Sequence, residues 1–288
     1  MTDLRFALRQ LLKHPGFTAV AVLTLALGIG ANLAIFGILN ELLLRPRPVS
    51  NPDELWAIKP ADAAGQPTYT SLLRPYYEAL RRNHRPFKQI IGYAGINPKL
   101  KTAEGAERIY AEIVSTDYFS FLGVVPELGR AFTSKVYANT ANPYVAVISH
   151  AFWQSRFGGS KDVIGRTLTL NNRIIDIIGV APAGFGGLGL MQPSLWMPDG
   201  LEKTLDEYTA YSLVARLDDP RLVPAAIDSL APVVAELTKE LSGFKDPQWA
   251  RYGYNPKFQR LWLEPAGRGL LGVMLGRQQV LGFLRFAS

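Results

Sequence analysis

The longest apolar stretch lies near the N-terminus. From Pro15 to Asn40 there are 26 residues without a charge. As a helix rising about 1.5 Å per residue this stretch is about 39 Å long, more than the roughly 30 Å hydrocarbon core of a bilayer. Leu, Ile, Val and Phe fill 12 positions from Phe17 to Leu39. At roughly −0.3 to −0.6 kcal/mol each, they favour insertion by about 4–7 kcal/mol. The pattern predicts a transmembrane helix over 15–44. A signal peptide is the rival reading, with Ala31-Asn32-Leu33-Ala34 as a weak cleavage site. Its apolar region would normally run about 7–15 residues, so the length favours an uncleaved anchor.

Two finer patterns accompany this helix. Ala26, Gly30 and Ala34 recur at four-residue spacing, a stripe of small residues that permits close helix packing, and Asn32 adds a hydrogen-bonding group beside it. Such residues are also common in membrane helices at large. Ahead of the helix, over 1–14, Leu4, Leu8, Leu11 and Leu12 share one helical face, while Arg5, Arg9 and Lys13 form a basic stripe. A basic amphipathic helix of this kind lies on an anionic inner leaflet or faces a partner there; a solvated face with topology charges is the alternative. Arg45 and Arg47 follow the apolar run beside Glu41. The positive-inside rule therefore places the N-terminus in the cytoplasm by a narrow margin, with the rest of the chain outside.

After a proline-rich linker over 46–53, residues 51–265 read as an α+β globule. Strands are predicted at Leu55–Lys59, Phe87–Gly95, Arg108–Val114, Tyr144–Ser149, Tyr211–Leu217 and Arg260–Leu263. Helices are predicted at Arg74–Asn83, at Asp117–Leu122 with Thr116 or Asp117 as cap, and at His150–Phe157 with Ser149 as cap. Thr167–Leu170 and Arg173–Val180 flank Asn171-Asn172, a hairpin signal. A long helix over Val223–Leu241 carries Ala226, Leu230, Val233, Leu237 and Leu241 on one face; Pro232 predicts a kink or break in it. The first and last thirds share a β-α-β rhythm, and the part from about 125 to 205 is richer in strands and turns. This suggests a split α/β unit with an inserted β-rich subdomain.

Composition narrows the chemistry. The 288 residues are 48% hydrophobic and 19% charged, too apolar for a disordered chain. Cysteine is absent, which excludes disulfides, thiolate metal sites and cysteine nucleophiles. His14, His84 and His150 lie far apart, against a histidine metal site. Of the net charge of +7, residues 1–50 hold +3 and the remainder is spread thinly, unlike a nucleic-acid-binding patch.

Gly184-Phe-Gly186-Gly187-Leu-Gly189 matches GxGxxG and follows a strand, but Pro193 and Pro198 break any helix that a dinucleotide site needs after it, so a turn is expected. Gly28-Ile-Gly30 lies inside the apolar run and is no phosphate loop. No P-loop, GxSxG elbow, HExxH or EF-hand sequence occurs. His150 has no Ser or Asp partner in view and reads as packed or capping. The five tryptophans, Trp56, Trp153, Trp196, Trp249 and Trp262, read as core anchors. No catalytic, cofactor or metal residues are assigned.

Against this background the residues of Arg9-Gln-Leu-Leu-Lys-His-Pro15-Gly-Phe through Leu27-Gly28-Ile-Gly30-Ala-Asn32 resemble the first transmembrane helix of ABC transporter permeases of the MacB/FtsX type, closest to the orphan permeases of Acidobacteria. Asp117-Tyr-Phe with Leu122-Gly-Val, then Pro126-Glu-Leu-Gly-Arg-Ala-Phe132, continue the likeness. So do Val145-Ala-Val-Ile-Ser149 with Phe152-Trp-Gln-Ser-Arg-Phe-Gly-Gly159, and Ile164-Gly-Arg-Thr-Leu168 with Ile178-Gly-Val-Ala-Pro182 and Gly184-Phe185. The resemblance covers about residues 1–270. It implies a MacB-like periplasmic core domain after the first helix, an inner-membrane location, and partnership with a separate cytoplasmic ABC ATPase that drives mechanical rather than pore transport. Other transmembrane helices, a second permease copy and membrane lipid are the further partners it implies. Family permeases carry at least three more membrane helices. Here Leu270–Gly276 is short and flanked by Arg268, Arg277 and Arg285, so 266–288 departs from the pattern before the second helix. The expectation is a truncated or frameshifted permease component that transmits motion. A single-pass binding or adaptor module without transport activity is the alternative, and an anchored enzyme is the third.

Overall fold

The structure, a computed structural model, describes residues 15–39, 48–62, 65, 67–68, 71–134, 142–189, 191–202, 205, 210–241, 258 and 260–267. The chain divides into two units, residues 1–45 and residues 46–288.

In the first unit, α1 (Pro15–Leu39) is one helix of 25 residues. Phe17, Val20, Leu23 and Leu27 are each more than 60% exposed. The Thr24 hydroxyl donates to the Val20 carbonyl at 2.8 Å, which satisfies it within an apolar helix. Among the described residues, no helix is long and apolar enough to cross a membrane.

The second unit is built on one 13-stranded sheet. Its strands are β1 (Leu55–Ala61), β2 (Leu72–Leu73), β3 (Gln89–Ile96), β4 (Lys99–Thr102), β5 (Gly105–Arg108), β6 (Ala111–Val114), β7 (Leu128–Gly129), β8 (Val145–Ile148), β9 (Thr167–Leu170), β10 (Arg173–Val180), β11 (Leu195–Pro198), β12 (Ala210–Arg216) and β13 (Arg260–Pro265). The order is β13-β1-β12-β3-β6-β11-β8-β10-β9-β4-β5, with β2 beside β12 and β7 beside β10. Neighbours are antiparallel except β6–β11 and β8–β10. The helices are α2 (Arg74–Arg82), α3 (Tyr118–Leu122), α4 (His150–Phe157) and α5 (Val223–Leu241).

Strand alternation explains the layers. On β3, Ile90 and Ala94 face a core shared with Tyr76, Tyr77 and Leu80 of α2 and with Ala226, Leu230 and Val234 of α5. Ala94 lies opposite Ile113, and Ile113 opposite Met197, so the same face continues into a second core with Phe152 and Trp153 of α4. Ile91 and Tyr93 face the other way, into a core with Phe119, Leu122, Phe185 and Trp196. The central strands are thus apolar on both faces, which is why Val214 is buried although its neighbours Leu213 and Ala215 point to the opposite side.

Several expected elements differ in detail. The expected strand Arg108–Val114 is two strands: β5 pairs with β4, then Ile109 and Tyr110 carry the chain to the far side, where β6 pairs with β3. β4, absent from the sequence reading, is too short and too polar to show a period. Asp117 does not cap α3 with its side chain. Its carboxylate instead accepts from the Ser134 amide at 3.0 Å and from the Ser134 hydroxyl. Thr116 does not cap it either, its hydroxyl lying 2.9 Å from that of Ser134. Pro232 does not break α5, which runs unbroken from Val223 to Leu241 with Leu230 and Val234 fully buried beside it. Packing of the apolar stripe outweighs the lost backbone hydrogen bond. Ser149 does cap α4, accepting from the Phe152 amide, and Asn171 and Asn172 both have positive φ, 44° and 65°, as a tight hairpin turn requires. Trp262 is 40% exposed and is no core anchor, whereas Trp153 and Trp196 are buried; Trp249 lies outside the described residues.

Candidate functional site

The incoming and outgoing ends of the second unit meet. β1 and β13 are antiparallel neighbours, so the segment before β1 and the segment after β13 leave the sheet side by side. The Ala266 amide donates to the Leu55 carbonyl at 2.8 Å. Gly267 lies so close to Pro52 that a Cβ there would overlap the proline carbonyl. Ser50 donates its amide to the Leu122 carbonyl at 2.8 Å. Gly123, with φ of 67°, both ends α3 in the left-handed conformation and clears space for the Ser50 hydroxyl. Val49 and Ala266 add apolar contact to the core under α3.

Arg216, the last residue of β12, gathers these pieces. Its guanidinium donates to the carbonyls of Ser50 at 3.1 Å, Asn51 at 3.3 Å and Phe121 at 2.6 Å, and to the Glu54 carboxylate at 3.1 Å. It also lies 5.0 Å from the Phe121 ring centroid. One side chain, 12% exposed, thus joins the incoming segment, α3 and the central sheet. Close by, Lys59 of β1 pairs with Glu264 of β13, both nearly buried. Burial raises the Glu264 carboxyl above its ordinary range, and Lys59 pulls it back. The junction ties the segment before β1 and the segment after β13 to each other and to the sheet. Arg216 shares its strand face with the buried Val214, and an arginine on that face is the signal the sequence carries.

The glycine motif closes over a second polar centre. Glu112 of β6 is fully buried and accepts from the Trp196 indole at 2.9 Å. Gly187 and Gly189 bring the loop backbone against the Glu112 carboxylate, where a Cβ would stand 3.0 and 2.6 Å from its oxygens. The Leu188 amide donates to the Tyr118 hydroxyl at 3.0 Å. Burial, and then the Glu112 charge, push the Tyr110 phenol up. The glycines serve close approach to a buried carboxylate, with no helix after them, so the loop is not a dinucleotide site.

Across the sheet, Arg81 of α2 sits 3.7 Å from Asp117 and 3.6 Å from Asp199. The Tyr77 hydroxyl lies 2.8 Å from Asp199 and 2.7 Å from the Ser115 hydroxyl. Burial and the Asp199 charge push that phenol up, so it stays a neutral hydrogen-bond donor. His150 lies 3.7 Å from Glu127 and packs edge-on against Trp153 at 5.4 Å. Its neighbour Ser149 is engaged as a cap, and no nucleophile–base pair forms there.

Of the residues singled out in the sequence, Ala26, Gly30 and Asn32 lie exposed on α1, and nothing stands within 4 Å of the Cβ that a substitution at Gly30 would add. Ala34 lies on the same helix. Arg5, Arg9 and Lys13 lie outside the described residues, as do 266–288 beyond Gly267.

The sequence profile of the family described as MacB-like periplasmic core domain matches residues 18–233. The chain belongs to this family. The match covers most of the chain and assigns it a periplasmic core domain of the MacB type. Among solved structures, the extracellular domain of the noncanonic ABC-type transporter YknZ from Gram-positive bacteria is 14% identical, with 72% of this chain and 98% of that one covered and a TM-score of 0.50. The periplasmic region of MacB from Actinobacillus actinomycetemcomitans is 12% identical, with 82% and 94% covered and a TM-score of 0.52. At these identities the likeness is one of fold. No curated protein matches the sequence.

Proposed function

We propose that this chain is an inner-membrane permease component whose extracytoplasmic domain exchanges motion with a separate cytoplasmic ATPase. In this reading α1 crosses the membrane with the N-terminus inside. Its 25 residues carry no charge, and Phe17, Val20, Leu23, Leu27 and Leu33 are exposed, which in water would be costly and in lipid is favourable. Ala26, Gly30 and Ala34, with Asn32 beside them, pack against other membrane helices or a second permease copy. Arg5, Arg9 and Lys13 meet the inner leaflet or the ATPase.

The observation that carries the reading is the junction. A domain that relays displacement needs its membrane-side ends fixed to each other and to its sheet, and Arg216, the β1–β13 pairing and the Gly267–Pro52 contact supply that fixation. The ATPase half of the proposal is tested by purifying the tagged full chain from its own membranes in mild detergent and measuring co-purifying ATP hydrolysis. Vanadate-sensitive hydrolysis that disappears with the chain supports the reading. Membranes in which the chain is intact and monodisperse but brings no hydrolysis contradict it.

A further inference from the structure

At the end of the sheet remote in strand order from the junction lies an open groove of about 510 Å³. Lys99 lies opposite Arg108, and Lys101 opposite Ala106, so all four share one face of the β4–β5 hairpin. Leu100 pairs with Leu170, which sets Thr169 and Asn171 alongside the two lysines on that same face. Arg108 donates to the Asn97 carbonyl at 2.9 Å. Among the described residues neither lysine makes an ion pair, and Glu107 turns to the other face, where it pairs with Arg156. The groove is therefore a cationic floor with amide and hydroxyl groups at its margin. Beside it, β5 ends the strand order, so its outer backbone edge is open to a further strand among the described residues.

We infer that this groove and edge receive an acidic, extended segment of a partner protein, with its backbone along β5 and its carboxylates on Lys99, Lys101 and Arg108. Two features select this occupant. Among the described residues, the lining has no aromatic ring on which a nucleobase would stack. Among the same described residues it has no apolar wall for an acyl chain, which a lipid ligand needs. An extended acidic segment uses both the free edge and the charge. The inference concerns the domain alone and stands whether or not an ATPase is the chain's partner.

The test uses the full chain in nonionic detergent and a fluorescein-labelled hexaglutamate peptide, followed by anisotropy at low and physiological salt. The wild type is expected to bind saturably, and Lys99→Glu/Lys101→Glu to bind at least tenfold more weakly. Lys99→Gln/Lys101→Gln, which leaves less chance of misfolding, should fall between them. Lys161→Glu, a single charge reversal outside the groove, should bind within twofold of wild type. Three results overturn the inference: no saturable binding by the wild type, binding at the wild-type level by both double variants, or the same groove-dependent loss for an oligothymidylate or for phosphatidylglycerol vesicles.

Discussion

Replacing Arg216 with methionine keeps the aliphatic stem and removes every donor. The cost follows from what each partner loses. The Ser50 and Asn51 carbonyls lie at exposed hydrogen bonds, so water replaces the guanidinium there at little cost. The Phe121 carbonyl is part-buried, and leaving it unsatisfied costs about 1–3 kcal/mol. The pair with Glu54, itself 26% exposed, contributes about 0–1 kcal/mol. Loss of the cation above Phe121 adds roughly 0.5–1 kcal/mol. Arg216→Met should therefore destabilise the domain by about 3 kcal/mol, read by urea unfolding of the full chain in detergent with tryptophan fluorescence. Hydrogen exchange adds a local readout. The Ser50 and Leu217 amides, bonded to Leu122 and Glu54, should exchange faster than the rest of the sheet. A loss below about 0.5 kcal/mol with unchanged protection at Ser50 would refute the clamp, because that is the ordinary range for a surface substitution.

Other substitutions probe the remaining features. Removing either Lys59 or Glu264 alone should cost about 3–5 kcal/mol, whereas Lys59→Met/Glu264→Leu together should be near neutral in the same unfolding assay. Because the Glu264 carboxyl is raised, its share of stability is present in acid and is lost as the pH climbs through its folded-state value; wild type should lose ground against the double variant over that window, and a pH-independent difference would contradict the assignment. Gly187→Ala, at φ of 80° with its Cβ 3.0 Å from Glu112, should cost about 1–3 kcal/mol, while Gly158→Ala, with φ of 57° and open space, should cost less. Gly30→Leu should reduce crosslinking between the chain and neighbouring membrane helices; unchanged crosslinking yields removes the small-residue stripe as a packing face.

Local signals carried the local structure. The uncharged run marked α1, the Asn171-Asn172 pair marked the β9–β10 turn, and Ser149 before Phe152-Trp153 marked a capped helix. The layers were partly legible, since the stripe Ala226, Leu230 on α5 and the apolar face of α2 show which sides are buried. What stayed hidden is non-local. Arg216 lies 165 positions from Asn51, and nothing in either neighbourhood names the other. The turn of the chain from β5 to β6 is set by which partner strand each pairs with, so a single run of strand-forming residues conceals it. Asp117 looked like a cap because it precedes a helix, yet Ser134 from a separate segment claims its carboxylate. The cationic groove likewise depends on β4, β5 and the β9–β10 turn meeting, and its lysines read in sequence only as scattered charge.

The absence of native cysteines makes the most direct test of the central claim clean. Single cysteines at Thr2 and at Ser160 would be probed in intact spheroplasts with a membrane-impermeant maleimide, and again after lysis. A membrane-anchored permease component with its domain outside labels at position 160 before lysis and at position 2 only after it. Equal labelling of both positions before lysis, or of neither, contradicts that account.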